Sequence, residues 1–284
     1  MRVHFHIIVV SYNPGERLYT TLESIYAQDY RDYDVIIEDS ESDDGSLTGL
    51  KDKGYFDHPV KNDRTEIFVT KDGGIYDGMN LALGRLPDKG KKRTDPDVRE
   101  YVLFLNCGDR LHDKQVLGVI ADRASEQIQD SLKIYYGDQY DLLRGSVVSS
   151  NRRLNEFGLY RNIPCHQVCF YDLRLFAERG YDVGYRVRAD YEHFLYCIYR
   201  CSAVAEYTDV IVSDYEGGGY SESDEGRALS EEEHRRITRE YMGKRADRYR
   251  MRLLLTGAAL RTKLANSKRF SGAYNKVKSL IYRR

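Results

Sequence analysis

Apolar residues fall along this chain in short runs, and most runs empty into small, polar or acidic residues. Val3 to Val10, rich in β-branched residues, predicts a buried strand and ends at Ser11-Tyr12-Asn13-Pro14-Gly15. Asn13 and Pro14 are residue types that cap and open helices, and Leu18, Leu22 and Ile25 follow at helical spacing, so a helix is expected from Pro14 to about Gln28. Tyr33 to Ile37 predicts a second strand, closed by Glu38-Asp39 and followed by the polar loop Ser40 to Ser46 and a short helix. Thr65 to Thr70 predicts a third, ending at Lys71-Asp72-Gly73-Gly74, and Ile75 to Leu86 a helix with Met79, Leu83 and Leu86 on one side. Pro87 to Asp97 is charged and aperiodic, a loop. Tyr101 to Leu105 is the most apolar run of all, a strand breaking into Asn106-Cys107-Gly108-Asp109.

Beyond it, Lys133 to Tyr136 and Cys165 to Tyr171 predict strands, and Asp190 to Arg200 a helix with Phe194, Leu195 and Ile198 inward. Asp214 to Ser223, with Gly217-Gly218-Gly219, predicts a loop that reads either as a lid over a site or as a connector. From Leu229 onward the pattern is helical. Alternating strands and helices predict an α/β fold with a mostly parallel central sheet flanked by helices. Residues 1–228 form the expected body, and 229–284 a helical basic C-terminal extension. A parallel sheet gathers its strand ends on one rim, where open α/β sheets hold ligands. Ser11, Asp39, Asp72 and Asp109 all fall there.

Net charge changes the picture only when divided. From Lys244 to Arg284 there are 13 basic residues and one acid, Asp247; the rest of the chain carries 31 basic and 44 acidic residues. An acidic body with a basic tail predicts an anionic partner for the tail. Leu253-Leu254-Leu255 and Leu260, with Arg248, Arg250, Arg252 and Arg261, fit a basic amphipathic helix on anionic lipid, or equally a solvated face or a dimer contact. No apolar run approaches the roughly 20 residues of a membrane-spanning helix. The opening segment reads as a strand, not a signal peptide. Five cysteines with no C-x-x-C pair point to a reducing compartment rather than a disulfide framework, and argue against zinc at Cys165/Cys169 or Cys197/Cys201. No G-x-G-x-x-G follows the first strand, which disfavours a Rossmann dehydrogenase, and SYNPGERL makes a poor phosphate loop for a nucleotidyltransferase.

Six segments, VVSYN (9–13), EDSESDDGS (38–46), KDGGIYDGMN (71–80), FLNCGD (104–109), CHQVCFY (165–171) and RADYEHFL (188–195), together resemble the family 2 glycosyltransferases of the A-type fold, in that family's order. The nearest subgroup builds bacterial capsule, lipopolysaccharide or exopolysaccharide. The resemblance implies an inverting transfer from a nucleotide-diphosphate sugar, UDP-linked, to a hydroxyl of a glycan or lipid-linked acceptor. It implies Mn²⁺ or Mg²⁺ as cofactor. The expected location is the cytoplasm, with the tail against the inner face of the plasma membrane.

Residue by residue, the resemblance implies that Ser11 and Asn13 border the nucleoside, that Asp39 accepts from the base, and that Asp44 lies near base and ribose. Asp72 and Asp77 line the ribose and sugar. Asn106, Gly108 and Asp109 occupy the metal-binding D-x-D position, of which Asp109 is the one carboxylate. Asp190 occupies the position of the catalytic base.

The residue types alone leave alternatives. Asp190 also suits an N-cap. Asp39 suits a turn. Asp72 and Asp77 suit capping of the helix from Ile75. His166, with Gln167 beside it, reads equally as a packed residue and as a contact to acceptor or diphosphate. A nucleotide-sugar-binding scaffold without turnover is the non-enzyme alternative.

Overall fold

A computed structural model describes residues 1–55, 65–86, 95, 97–127, 130–217 and 223–255. Residues 87–94 and 96 of the predicted loop from Pro87 to Asp97, residues 218–222 of the predicted loop from Asp214 to Ser223, and the tail beyond Leu255, with Leu260 and Arg261, lie outside them.

Four parallel strands carry the amino-terminal half: β1 (Arg2–Ser11), β2 (Tyr33–Asp39), β3 (Thr65–Val69) and β4 (Val98–Asn106), in the order β3-β2-β1-β4. Ile7, Ile8 and Val9 of β1 and Val102 to Leu105 of β4 are fully buried, as strands covered on both faces must be. The covers include α1 (Arg17–Tyr26), α2 (Ser46–Asp52) and α3 (Ile75–Arg85). Leu18, Leu22 and Ile25 of α1 have no exposure; each such side chain contributes roughly 1.5–3 kcal/mol through burial. Register brings the strand ends level: Ser11 pairs with Asp39, Val10 with Asn106, and Asp39 with Val69. The common rim expected from the sequence is therefore built.

The carboxyl-terminal half extends the sheet with mixed direction. After β5 (Arg110–Leu111) and α4 (Val116–Ser125) come β6 (Lys133–Asp141), β7 (Ser146–Val148), α5 (Glu156–Arg161), β8 (Cys169–Asp172), α6 (Ala189–Tyr199) and β9 (Val204–Tyr215). The sheet continues β4-β8-β6-β9-β5; β8 is antiparallel to both neighbours, and β9 is parallel to β6. Two helices follow, α7 (Asp224–Met242) and α8 (Lys244–Leu255). None of the described helices is long and apolar enough to cross a membrane.

Four expectations need correction. The first helix starts at Arg17, because Asn13 (φ 45°) and Gly15 (φ 57°) pass through the left-handed region and delay it. Cys165 to Tyr171 is not one strand: His166–Val168 is a 3₁₀ turn leading into β8. β9 runs to Tyr215, into the predicted loop; a bulge at Asp209 (φ 58°) breaks its alternation and hides it from the sequence. The helical tail begins at Asp224, where Ser223 caps α7 by accepting from the Gly226 N–H.

Candidate functional site

The rim opens into two adjoining cavities that share Arg17, Gly74, Ile75, Asn106 and Cys107. The larger, about 830 Å³, lies over the ends of β1 and β3 and is walled by Ser11, Tyr12, Lys71 and Asp72. Asp39 reaches it only through a neighbour. Its buried carboxylate accepts from Ser11 Oγ (2.6 Å), Ser42 Oγ (2.7 Å) and the Ser42 N–H (2.7 Å), which fixes Ser11 at the wall. Asn13 accepts from the Asp43 N–H (2.9 Å) and donates its own N–H to Ser42 Oγ (2.8 Å). Asp44 accepts from the Gly15 N–H (2.7 Å) and from Ser46. Asn13, Asp39 and Asp44 thus stitch the loop after β1 to the loop after β2, behind the cavity wall and not in it. Tyr12, 69% exposed, presents an aromatic face at the mouth.

Asp72 and Asp77 serve both alternatives read from the sequence. Asp72 accepts from the Gly74 N–H (2.9 Å) and Asp77 from the Gly73 N–H (2.8 Å), satisfying amides at the start of α3, while each also lines a cavity.

The smaller cavity, about 650 Å³, contains Asp77, Asn106, Asp109, His166, Gln167 and Asp190. The 3₁₀ turn explains why two consecutive residues both serve it; in a strand they would face opposite ways. Gln167 donates to Asp109 Oδ2 (2.9 Å), and His166 Nδ1 meets Asp190 Oδ2 (3.2 Å). Asn106 Nδ2 lies 3.3 Å from His166 Nε2, so the ring accepts there and donates from Nδ1. Asp190 stands in the first turn of α6, inside the helix and not at its cap, which is Arg188. Its Oδ1 accepts from the Tyr191 N–H (2.8 Å) and the Tyr76 hydroxyl (3.0 Å). Burial pushes this carboxyl up, but His166, the Tyr191 N–H and Tyr76 together hold it below the usual range.

Asp109 differs. Burial is the larger influence and raises its carboxyl, against the pull of Gln167 and of the Glu216 N–H, which bonds Oδ1 at 3.1 Å. Gly108 does not line a cavity; it makes the turn (φ 104°) that aims Asp109, and a Cβ there would strike the Glu216 carboxylate. Thr21 on α1 secures that turn, accepting from the Gly108 N–H and donating to the Asp109 carbonyl.

The model of the family described as glycosyl transferase family 2 matches residues 6–127. Over 227 residues the chain is 30% identical to the PGL/p-HBAD biosynthesis glycosyltransferase of Mycobacterium tuberculosis (strain ATCC 25177 / H37Ra), covering 76% of this chain and 78% of that one.

The chain belongs to glycosyltransferase family 2.

A second relative, the amylovoran biosynthesis glycosyltransferase AmsB of Erwinia amylovora, is 26% identical over 112 residues, 39% of this chain and 32% of AmsB. Among solved structures, S. aureus TarS 1-349 in complex with UDP superposes with a TM-score of 0.62 at 16% identity, over 87% of this chain and 69% of TarS 1-349. The mannosyltransferase PcManGT of Pyrobaculum calidifontis, in complex with GDP-Man and Mn²⁺, gives 0.60 at 16% identity, over 99% and 87%. Both share its fold, the A-type glycosyltransferase architecture.

In this family 2 glycosyltransferase several site residues carry no mark in the sequence. Arg17 stands where the cavities meet, 3.6 Å from Glu216 Oε2. Tyr76 is a neighbour of Asp77 in KDGGIYDGMN, yet its hydroxyl serves Asp190, 114 residues on. Glu233 of α7 accepts the N–H groups of Arg186, Val187 and Arg188 (2.7, 3.0 and 2.8 Å), fixing the segment that walls the smaller cavity before α6. Burial pushes the Cys107 and Cys165 thiols up to about 12, so neither supplies a thiolate at neutral pH.

Proposed function

We propose that this glycosyltransferase transfers a sugar from a UDP-linked donor to a hydroxyl of a glycan or lipid-linked acceptor, with inversion at the anomeric carbon. The observation that carries the proposal is the pair of joined cavities. One is suited by size and by Tyr12 to a nucleoside, the other holds a carboxylate, Asp190, kept ionised beside open space. In the proposed step the acceptor hydroxyl gives its proton to Asp190 as its oxygen bonds the anomeric carbon. The bond from that carbon to the diphosphate oxygen breaks, and the pair of electrons leaves with the diphosphate. Attack from the face opposite the leaving group inverts the centre. Arg17, at the junction, meets the charge that develops on the diphosphate.

The donors around Asp109 fit a hard divalent ion. They are oxygens, and Asn106 Oδ1 is buried with no hydrogen-bond partner. Asp109 and Asn106, with Glu216 adjacent, would hold Mn²⁺ or Mg²⁺, which when bound supplies Lewis-acid neutralisation of the leaving diphosphate. The relatives, glycosyltransferases of PGL/p-HBAD and of amylovoran biosynthesis, support a role in building glycolipid or polysaccharide. The TarS complex with UDP and the PcManGT complex with GDP-Man and Mn²⁺ support a nucleotide-sugar donor and a metal. An acceptor at a membrane agrees with α8, whose Met251, Leu254 and Leu255 are exposed beside Arg248.

Incubation with a panel of UDP- and GDP-sugars plus Mn²⁺, with product and nucleotide release measured, tests the proposal. Asp190→Asn is expected to cut turnover by about 10²–10⁴-fold while UDP still binds; Asp109→Ala is expected to lose metal-stimulated transfer. UDP binding without turnover of any donor would leave a nucleotide-sugar-binding scaffold.

A further inference from the structure

At the opposite end of β1, His4 and His6 project from one face of the strand, two residues apart. Parallel pairing sets Asp34 of β2 beside His6 and Glu100 of β4 beside His4. Ligand atoms of His4, His6 and Asp34 all lie within 4.8 Å of one another. His4 Nε2 is 3.0 Å from Asp34 Oδ2, and His6 Nδ1 is 2.9 Å from the same oxygen. Each ring turns its other nitrogen to another carboxylate: His4 Nδ1 to Asp32 Oδ1 at 2.8 Å, and His6 Nε2 towards Glu100 Oε1 at 3.6 Å. His6 is 4% exposed, and its Nε2 has no hydrogen-bond partner.

From this arrangement we infer that His4, His6 and Asp34 form a binding site for a transition-metal dication of the zinc class. Two imidazoles and a carboxylate are a borderline donor set, which favours Zn²⁺ over the harder Mg²⁺ or Ca²⁺. Metal-ligating histidines ordinarily pass their second nitrogen to a carboxylate, which fixes the ring and raises its basicity; Asp32 and Glu100 stand in that relation here. The metal takes the place between the rings and Asp34 now bridged by protons. Asp34 and His4 keep a third and a fifth of their side-chain surface exposed, so an ion has a path in. The site lies five to seven residues before Ser11 along β1, about 17–23 Å from the rim at the rise of a strand. It is therefore separate from Asp109 and clips β1 to β2 at the end remote from the cavities.

The test uses untagged full-length protein, stripped of metal, equilibrated with Zn²⁺, desalted and assayed for bound zinc. One zinc per chain is expected in the wild type and in Asp109→Ala. His4→Gln and Asp34→Asn are expected to weaken Zn²⁺ by more than about 100-fold, and Asp32→Asn, which keeps every ligand, by about 10-fold. Co²⁺ in place of Zn²⁺ is expected to give the visible absorption of a four-coordinate site, absent in His4→Gln. Metal-free melting curves identify any variant that fails to fold, and Asp32→Asn carries the test if one does. Wild type that retains no zinc, or zinc lost with Asp109→Ala but kept by His4→Gln, overturns the inference.

Discussion

Asp190 is drawn in two directions at once. Burial disfavours its charge, whereas His166, the Tyr191 N–H and Tyr76 favour it and prevail. A carboxyl held low in the folded state contributes stability above its unfolded value and loses it as pH falls through the folded one. The same lowering keeps the proposed base ionised well into acid. His166→Ala removes the strongest of the opposing pulls, so burial gains and the carboxyl rises. The acid limb of kcat is then expected to move to higher pH, with up to about 100-fold lost at neutral pH through misplacement of Asp190. His166 is on this reading a positioning residue. A pH profile unchanged in shape, merely lower throughout, would reduce it to packing.

Among the elements, α7 has the least expected role. It is drawn by the sequence as the start of an appended tail, yet it fixes a segment that walls the smaller cavity. Buried Glu233 takes three backbone N–H groups in a row, those of the two residues that lead into α6 and of its cap, Arg188. Arg179 and Tyr241 both bond Glu192, tying α6 to α7 a second time. Glu233→Gln puts an amide donor against backbone donors and is expected to cost about 1–3 kcal/mol. Calorimetry should register that as a Tm lower by about 2–4 °C per kcal/mol, with KM for the acceptor raised as residues 183–187 loosen. A variant that melts with the wild type would mean these amides find water instead.

Over the whole molecule, charge is divided between an acidic body and a basic end. The cavities open at one rim of an acidic body, while α8 extends Met251, Leu254 and Leu255 from its packing on α5, where Arg245 and Tyr249 meet Glu156 and Arg252 covers Phe157. With 13 basic residues from Lys244 onward, this end suits an anionic bilayer. Full-length protein is expected to sediment with phosphatidylserine-containing vesicles and not with phosphatidylcholine alone, and to release as salt rises. The double change Leu254→Glu, Leu255→Glu is expected to weaken vesicle binding by about tenfold or more while transfer to a soluble acceptor persists. Undiminished sedimentation of that variant would assign the exposed leucines to a protein contact.

By itself the sequence determined the strands of the parallel half, the helices from Ile75 and from about Asp190, and the chemical inventory of the rim, because strand and helix periodicity and the residues that end each run are local properties. It also marked Asp109, Asp190, His166 and Gln167, all of which meet in one cavity. Tertiary structure alone decided which polar residues face that space and which stand behind it. Asp39 and Asp44 have the composition of ligands, but hydrogen bonds commit them to the loops: Asp39 is buried against Ser11 and Ser42, and Asp44, though exposed, is held by the Gly15 and Ser46 N–H groups. Tyr76, Arg17 and Glu233 reach the site, or the segment that walls it, across chain separations no local pattern spans. His4 and His6 look like two ordinary strand residues until register sets Asp34 and Glu100 alongside. Pairing of that kind depends on which strands become neighbours and in what phase, and only the packed sheet specifies both.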